Sequence, residues 1–405
     1  EPDLMKSLQF LPGVQSGNEG TNNISVRGSN QWGNLVLLDE AVVYNPSHVL
    51  SFFSVFNNDA IREVNLYKSF FPLKYGGRSS SVIDVRMREG NSKERERSAS
   101  LGLIASKVLL EGPLKKKEGS YLVSGRFGYP GVVAGLLGSN LTSKPQMWFY
   151  DVNAKVNRTL DARNRMFFSL YSGGDHTVFN KLVKGYGMDW GNATATIRWN
   201  HILNDKTNVN TSAVFSNYYY KYKSLSDGLR YVWKSNMQSY QLKSDWERYQ
   251  NNLLTLKGGV NLHYFTTMPG EVGKSGKDSN ITPSEMSRKS LWDAALYAEA
   301  NYKFLPRFLL NAGVRLSVLH APASTYYAAK TFVMPEPRAE LSFIPNASHR
   351  FSASYTQAAQ SIHMLTTSSV GIPSDMWMPA NALLKPSVMR QLALGYEYNL
   401  SLIHI

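Results

Sequence analysis

A regular alternation of polar and apolar residues over most of the chain restricts its fold more than any other feature. In residues 194–200, three apolar residues alternate with four polar ones, and the same period of two recurs in residues 254–263, 308–317 and 391–398. Successive side chains point to opposite sides in a β-strand, so this period predicts strands and not helices. The chain from about residue 120 onward is therefore predicted to be a run of antiparallel strands.

These predicted strands, called the wall, fit either a soluble sandwich or a transmembrane barrel, and their connections distinguish the two. Short connections such as Asp161–Arg165 and Asn204–Thr207 alternate with long polar ones such as Met268–Lys289 and Ser361–Pro386. Bacterial barrels have short periplasmic turns, long outer loops and aromatic residues near strand ends, where this chain also has them. No apolar run approaches the roughly 20 residues of a membrane-spanning helix. The sequence therefore predicts a barrel with lipid outside and a polar interior.

The order of the connections also decides how the first part of the wall is interpreted. If Ser98–Gly112 were one strand, the basic run Lys115–Lys117 would lie on the outer side of the membrane. Every later connection would then lie on the wrong side, with the long loops in the periplasm. If the segment is instead a hairpin with a tight outer bend near Ala105-Ser106, the short connections lie on the periplasmic side and the long ones outside. With this hairpin the wall has about fourteen strands, an even number, as is typical of bacterial barrels.

Residues 1–90 differ from the wall, because short strands alternate there with turns that contain Gly, Ser and Asn. Residues 1–14 predict a short amphipathic helix ended by Pro12-Gly13. The last predicted strand has Ile83, Val85 and Met87 on one face and charged residues on the other, the period of a half-buried strand. The predicted strands are residues 24–27, 35–38, 61–68 and 82–87. This part is predicted to be a compact mixed α/β domain.

Five motifs of this domain, taken in order, resemble the plug domain of TonB-dependent outer-membrane receptors, and in particular the Bacteroidota type. They are LPGV (11–14), VRG (26–28), LVLLDE (35–40), IREVNLYKS (61–69) and YGGRSSSVIDV (75–85). The family commonly has Gly where this chain has Glu40, and a Lys-Gly pair where it has Lys68-Ser69. The resemblance implies a plug inside the barrel, in the outer membrane of a Gram-negative bacterium.

The predicted fold class is therefore mainly β, with a small mixed α/β plug followed by an incomplete transmembrane antiparallel β-barrel. A plugged barrel of this kind needs about 22 strands, of which about fourteen are predicted here. We expect the chain to be truncated at both ends and the barrel to stay open, with Arg390–Tyr398 as an unpaired edge. The predicted parts are a plug (1–90), a linker (91–97), a partial barrel (98–400) and an extraneous tail (401–405), because Leu402-Ile403-His404-Ile405 breaks the strand pattern.

Two sets of plug residues are candidates, one for a structural role and one for ligand binding. Gly76 and Gly77 allow positive φ in a tight turn, and Arg27 and Arg78 offer planar donor groups for carboxylates of the wall, or only hold the plug together. The structural set comprises Arg27, Gly28, Asp39, Gly76, Gly77 and Arg78. By family resemblance, ligand is met at the outward loops of the plug, which makes Asn30, Trp32, Tyr44, His48 and Phe71 the ligand-binding candidates.

The chain lacks the patterns of catalytic and cofactor sites. The motifs GxGxxG, GxxxxGKS/T, HExxH and GxSxG do not occur, the eight histidines are scattered, and there is no cysteine. The formal charge is +14, but Lys and Arg are spread singly and not gathered with aromatic residues on one element. We therefore predict no enzyme, no cofactor, no metal site and no nucleic-acid partner.

The resemblance implies a receptor-transporter for a scarce nutrient, with outer-membrane lipid around it and TonB supplying energy through a segment upstream of Glu1. A barrel of this bore would leak unless plugged. The end of the plug, YGGRSSS at 75–81 and Met87-Arg88, differs from the glycan-importing Bacteroidota subgroup, which favours a siderophore-like metal chelate or other small solute. The alternatives are a ligand-sensing signal transducer, a glycan or peptide importer of the same fold, and a structural or adhesive barrel with an immobile plug.

Overall fold

The plug contains a short helix and a small mixed sheet, as the sequence predicts. The computed structural model describes residues 3–17, 21–115, 118–137, 146–180, 185–224, 230–275, 282–365 and 376–399. The plug elements are α1 (Leu4–Leu8), β1 (Val14–Ser16), β2 (Ile24–Val26), β3 (Leu35–Leu38), β4 (Ala41–Val42), β5 (Ser47–His48), β6 (Phe53–Ser54), β7 (Ile61–Tyr67) and β8 (Val82–Met87). The main sheet has the order β4-β3-β8-β7, with β3 and β8 parallel and the other pairs antiparallel.

The strand β8 is buried on both faces, whereas the sequence predicts a half-buried strand. Ile83, Val85 and Met87 pack into the core of the plug, as predicted. Asp84 on the opposite face is also buried, and it accepts hydrogen bonds from the Tyr75 hydroxyl at 2.9 Å and from Arg86 at 3.2 Å. The prediction is wrong for Asp84, because Tyr75 and Arg86 cover this face of β8, although Arg86 itself is 33% exposed.

The wall is one antiparallel sheet in which fourteen strands follow each other in chain order and the short β18 is added at one side. Between β11 and β12 lies the helix α2 (Pro130–Leu137), which the sequence analysis did not predict. The wall strands are β9 (Glu96–Leu101), β10 (Ala105–Pro113), β11 (Gly119–Gly128), β12 (Gln146–Thr159), β13 (Asn164–Asn180), β14 (Gly185–Asn204), β15 (Thr207–Ser224), β16 (Tyr231–Asn251), β17 (Leu254–Lys274), β18 (Ser284–Glu285), β19 (Lys289–Leu305), β20 (Phe308–Ala321), β21 (Lys330–Asn346), β22 (His349–Gln360) and β25 (Ser387–Tyr398). The connection from β22 to β25 carries a separate hairpin of β23 (Ile362–Leu365) and β24 (Met376–Pro379).

The predicted hairpin at the start of the wall is confirmed. Strands β9 and β10 pair antiparallel, with Ser106 opposite Leu101, so the bend lies at residues 102–104 and not at Ala105-Ser106. At the two ends of the sheet, β9 pairs with β10 and β25 pairs with β22, and within the described residues these two end strands do not pair with each other. The sheet is therefore unclosed. The predicted tail, 401–405, and two residues of the run at 115–117 lie outside the described residues.

The wall has the polarity of a membrane barrel and not of a soluble sandwich. The apolar residues Leu242 and Leu296 are 56% and 62% exposed on its outer face. The polar residues Asn261 and Arg315, which point inward, are 8% and 1% exposed. Apolar groups thus face outward and polar groups face the plug, as in a barrel with a polar interior. In the described part of the chain, no helix has both the length and the apolar character of a membrane span.

Buried ion pairs attach the plug to the inner face of the wall. Asp39, at the end of β3, accepts hydrogen bonds from Met87 N–H at 3.1 Å and from the Ser169 hydroxyl at 2.6 Å. Its carboxylate also lies 2.8 Å from Lys155 Nζ, and Lys155 donates to the Met87 carbonyl at 3.0 Å. Asp39 and Lys155 are both buried, so neither charge is compensated by water. The predicted structural residue Asp39 therefore connects two plug strands to the wall.

The next residue, Glu40, explains the departure from the family pattern. Glu40 has a φ of +78°, a backbone conformation that glycine adopts without strain and other residues rarely adopt. Its carboxylate lies 2.9 Å from Lys243 Nζ and 3.4 Å from Arg198 Nη1 of the wall. These two cations outweigh the effect of burial and lower the pKa of Glu40 to about 2. The ion pairs thus offset the backbone strain that a glycine would avoid.

We predict that Asp39→Asn destabilises the protein by about 3–5 kcal/mol, because Lys155 would keep a buried charge without its carboxylate. Asparagine tolerates the positive φ of +44° at this position, so the substitution tests the charge and not the backbone. Urea unfolding of the purified chain in detergent, followed by tryptophan fluorescence, measures the change. The matched control is Glu63→Gln on the exposed part of β7, with an expected change within about 0.5 kcal/mol. Equal losses in the two variants would contradict the prediction.

Candidate functional site

A buried arginine surrounded by aromatic rings lies where the plug meets the hairpin of β23 and β24. The guanidinium carbon of Arg78 is 4.9 Å from the ring centre of Trp377 and 6.0 Å from that of Tyr44. Trp377 meets Tyr44 and Trp32 edge to face, at 5.7 and 6.1 Å between ring centres. We call these four residues the aromatic cluster. Two of them, Trp32 and Tyr44, are predicted ligand-binding residues, and the structure brings them together.

Trp377 reaches the plug because its hairpin folds inward from the predicted outer connection Ser361–Pro386. The Trp377 carbonyl accepts a hydrogen bond from the Thr267 hydroxyl of β17 at 3.4 Å. At the base of the connection, the Ser79 hydroxyl of the plug donates to Gln360 Oε1 at 2.6 Å. The sequence analysis missed Trp377 because it read this segment as a loop. The run Met-Trp-Met-Pro at 376–379, too apolar for a solvated loop, was the available signal.

Arg78 lies between two small cavities. One, of about 30 Å³, is bounded by the aromatic cluster and by plug residues that include Gln31 and Asn34. The other, of about 40 Å³, lies between Arg78 and the wall residues His263 and Asp293, among others. Burial lowers the pKa of Arg78 to about 10 and raises that of Tyr44 to about 12. Arg78 therefore stays protonated and Tyr44 neutral at physiological pH.

Of the two alternatives for Arg78, contact with a wall carboxylate or holding the plug together, the structure does not show the first. Within the described residues, no carboxylate lies within 4 Å of its guanidinium, which donates only a long hydrogen bond of 3.4 Å to the Gly77 carbonyl. Arg27, the second predicted donor, is exposed and has a φ of +53°. Among the described residues, neither arginine forms an ion pair with the wall. Other plug residues do, among them Asp39, Glu40 and His48.

The glycines of the structural set have two different functions. Gly28 and Gly77 have φ values of +72° and +81°, which explains glycine at these turns. Gly76 does not have positive φ, contrary to the prediction. A Cβ atom at Gly76 would lie 2.5 Å from Nε of Arg315 on β20, so glycine is needed there for close approach to the wall.

His48, a predicted ligand-binding residue, connects the plug to the wall instead of lying in the aromatic cluster. Its Nε2 is 2.7 Å from Asp151 and its Nδ1 is 2.5 Å from Asp175, and the ring stacks on Phe149. Burial lowers the pKa of His48, but the two carboxylates outweigh it and raise the pKa to about 9. His48 is therefore a cation between two wall carboxylates at neutral pH. No local sequence pattern indicates this pairing, because Asp151 and Asp175 are more than a hundred residues away from His48.

The other two predicted ligand-binding residues also lie apart from the aromatic cluster. Asn30 is exposed, and its side chain accepts a hydrogen bond from Trp32 N–H at 3.0 Å, which caps a short turn. Phe71 is buried under Arg338, whose guanidinium carbon is 4.1 Å from the ring centre. The same guanidinium donates to the backbone carbonyls of Phe71, Pro72 and Tyr75. Phe71 therefore packs against the wall.

A larger cavity lies between the plug and the end of the wall with short turns. It has a volume of about 570 Å³ and is bounded by Tyr67 and Lys74 of the plug and by wall residues that include Arg165, Glu247 and Lys257. Its charged residues are of both signs. Lys74 also borders the cavity of about 40 Å³ next to Arg78. Among the residues described, no group of three His, Asp or Glu side chains could hold a metal ion.

Three solved structures with the same fold are each longer than this chain. The ferric preacinetobactin receptor BauA from Acinetobacter baumannii has a TM-score of 0.71 at 12% identity, over 99% of this chain and 66% of that protein. The FrpB iron transporter from Neisseria meningitidis scores 0.71 at 13% identity, with coverages of 98% and 67%. The siderophore receptor PiuA from A. baumannii scores 0.66 at 15% identity, also with 98% and 67%. The chain thus spans about two thirds of their length.

Two family models match the sequence and together cover most of it. The model described as "TonB-dependent Receptor Plug Domain" matches residues 1–83, and "TonB dependent receptor-like, beta-barrel" matches residues 135–403. No curated protein matches the chain. The barrel match alone exceeds half of the chain, and the plug lies inside an antiparallel wall as both matches require. The chain therefore belongs to the TonB-dependent receptors, a family of transporters and not enzymes in the outer membrane of Gram-negative bacteria.

Proposed function

We propose that this protein imports a scarce small solute, such as a siderophore-like metal chelate, across the outer membrane with energy from TonB. The observation that carries the proposal is that the plug is held inside the wall by buried ion pairs at Asp39, Glu40 and His48. A plug held this way blocks the lumen, so a solute can pass only when part of the plug moves. In this proposal residues 1–90 are the plug and 98–400 the wall, and the linker of residues 91–97 overlaps the first two residues of β9.

The cargo is proposed from the similar structures. They are a ferric preacinetobactin receptor, an iron transporter and a siderophore receptor. At 12–15% identity these proteins share the fold with this chain, and their cargo supports a metal chelate as the first class of solute to test. The Bacteroidota origin stays a prediction from the sequence.

The solute is proposed to meet the plug at the aromatic cluster and to leave through the larger cavity. The cluster lies at the end of the wall with long connections, which face outward in this family. The cavity of about 570 Å³ lies at the end with short turns, which face the periplasm. The plug segment from Tyr67 to Arg78 separates the two, and its Lys74 borders both the larger cavity and the one next to Arg78. Movement of this segment would join them.

Energy for this movement has to come from outside the outer membrane, which holds no ATP and no potential of its own. TonB is the partner that the family uses, and a mechanical pull fits a plug attached by several separate contacts. The backbone after His48 is a further element that could move. Val49, Leu50 and Ser51 have φ values of +50°, +55° and +75°, which is a strained conformation, above all for the β-branched valine. Val49 N–H donates to Asp175 at 2.8 Å, so the wall holds this strain in place.

We expect a Gram-negative strain that lacks its own iron receptors to take up radioactive iron from at least one chelate when it expresses this protein. The test offers catecholate, hydroxamate and carboxylate chelates in turn. Deletion of TonB should reduce uptake to background, because the plug would then stay attached to the wall. Binding of a chelate without any uptake would favour a signal transducer instead. Uptake of a glycan or peptide, and of no chelate, would favour the alternative importers.

We predict that the attachment of the plug weakens as the pH rises through about 9. His48 has a raised pKa, so its contribution is fully present below its ordinary value of about 6.5 and is lost as the folded state loses the proton near pH 9. A shift of this size corresponds to roughly 3 kcal/mol. Urea unfolding of the chain in detergent between pH 6.5 and 9.5 measures it.

The variant His48→Gln should be less stable than the wild type at pH 7 and should lose most of this pH dependence. The matched control is His320→Gln, because His320 is exposed and bonds only to the Thr331 hydroxyl among the described residues. That variant should keep the wild-type pH profile. A wild-type stability that does not fall between pH 7 and 9.5 would contradict the assignment.

A further inference from the structure

Arg78 is an exception among the buried cations of this protein. The part of the chain that the structure describes contains six buried Arg and Lys residues: Arg78, Arg126, Lys155, Arg198, Arg315 and Arg338. Five of them lie within 4 Å of a carboxylate, which is Asp151, Asp39, Glu40 or Glu336. Arg78 has no such partner within the described residues. A buried charge is costly unless an opposite charge and hydrogen bonds compensate it.

The neighbours of Arg78 compensate this charge only in part. The rings of Tyr44 and Trp377 offer cation–π contacts, and the Gly77 carbonyl accepts one long hydrogen bond. An arginine has five N–H donors in a planar fork, and two parallel donors match the two oxygens of a carboxylate. Most of the donor capacity of Arg78 is therefore unused by the protein itself.

A second unused donor borders the same cavity. Trp377 is 3% exposed, and its indole Nε1 has no hydrogen-bond partner within the described residues. Trp377 and Arg78 both line the cavity of about 30 Å³, and none of the residues that line it is acidic. Gln31 Oε1, at the same cavity, also lacks a partner, and it is the only such acceptor oxygen of an amide among the lining residues described. A cation and an N–H group thus meet in a small space without a negative charge.

The second cavity next to Arg78 suits an anion less well. It is lined by Asp293, whose Oδ1 lacks a partner, and by Glu40, which is already paired with two wall cations. A carboxylate placed there would meet Asp293. The anion is therefore expected on the side of Trp377 and not on the side of the wall.

We propose that Arg78 and the Trp377 indole bind a carboxylate, or a similar planar oxyanion group, of the imported solute. This inference rests on the proposed function and adds the chemical class of the solute. A volume of about 30 Å³ is close to that of one water molecule, so the cavity takes only the anionic group. The remainder of the solute would pack on the rings of Trp32 and Tyr44, which would have to move apart while the Trp377 N–H stays on the anionic group. An aromatic or apolar carboxylate fits these surroundings best.

The test compares benzoate with benzamide, which has the same shape and no charge. Each is titrated by calorimetry into the purified full chain in detergent and in chloride-free buffer. We expect benzoate to bind and benzamide to bind at least about tenfold more weakly, since hydrogen bonds to a charged group are stronger than neutral ones. Arg78→Gln should weaken benzoate binding by about tenfold to a hundredfold. The control Arg62→Gln removes the same charge from an exposed position of the plug and should leave binding unchanged.

Two further variants keep the test decisive if Arg78→Gln does not fold. Trp377→Phe keeps a ring but removes the indole N–H, and should weaken benzoate binding by about twofold to tenfold. Arg78→Lys keeps the charge but loses the planar fork, and should weaken it by about tenfold.

The proposal is overturned if the wild type does not bind benzoate, if it binds benzamide equally well, or if Arg62→Gln loses as much affinity as the Arg78 variants. Millimolar chloride that binds and displaces benzoate completely would assign the site to a structural halide, and would overturn it as well. Because this binding does not require TonB, a failure here leaves uptake of a chelate intact. A failure of uptake leaves the benzoate result intact, so the two proposals are tested separately.

Discussion

The attachment of a charged plug to a polar inner wall is the constraint on which the rest of this structure depends. Asp39 lies 2.8 Å from Lys155, and His48 lies between Asp151 and Asp175, all of them buried. The wall turns many polar and charged groups inward, so the plug meets it with matching charges in addition to apolar contacts such as those of the cluster that contains Leu37 and Leu291. Breaking such a pair leaves an uncompensated charge, which makes each contact strong once formed. In the proposed function, some of these contacts have to break before a solute can pass through the wall.

The attachment is uneven, and this has consequences for movement. The segment from Asp39 to His48 is held by side-chain ion pairs, whereas the segment from Phe71 to Tyr75 is held mainly through its backbone carbonyls by Arg338. Every residue has a backbone carbonyl, so such hydrogen bonds do not depend on the side chains of residues 71–75. Water can replace Arg338 as their donor when this segment moves. Arg78, next to Tyr44, is a buried cation without a carboxylate among the described residues. The plug at the proposed solute site is therefore not held by an ion pair of Arg78 with a described wall residue.

Backbone strain occurs at the same interface. Glu40 and the residues Val49 to Ser51 have positive φ, and both places are held by wall groups, which are Lys243 and Arg198 in one case and Asp175 in the other. Strained conformations of this kind persist only where the surroundings fix them. Release of the wall contact would allow the backbone to relax, which links the ion pairs to a possible change in shape of the plug.

The local pattern of the chain was sufficient to predict the strands of the wall, their direction and the hairpin at the start. A period of two specifies which residues share a face, and the alternation of short and long connections specifies the side. The prediction from the local pattern was wrong at β8, where Asp84 is polar yet buried. Burial of this second face depends on contacts such as that with Tyr75, which the strand period does not specify. It also failed at Gly76, where the reason for glycine is the side chain of Arg315 and not a local turn.

The two-part architecture and the family follow from the sequence, because strand period, turn composition and ordered motifs are local properties. The roles of the candidate residues depend on the tertiary fold. It separated His48 and Phe71 from Trp32 and Tyr44, and it brought Trp377 to Arg78 across about three hundred residues of chain. Partners at such a distance in sequence are selected by how the plug sits in the wall and how one outer hairpin folds inward. No local pattern contains that information, because the sequence around a residue does not indicate which distant residue it will contact.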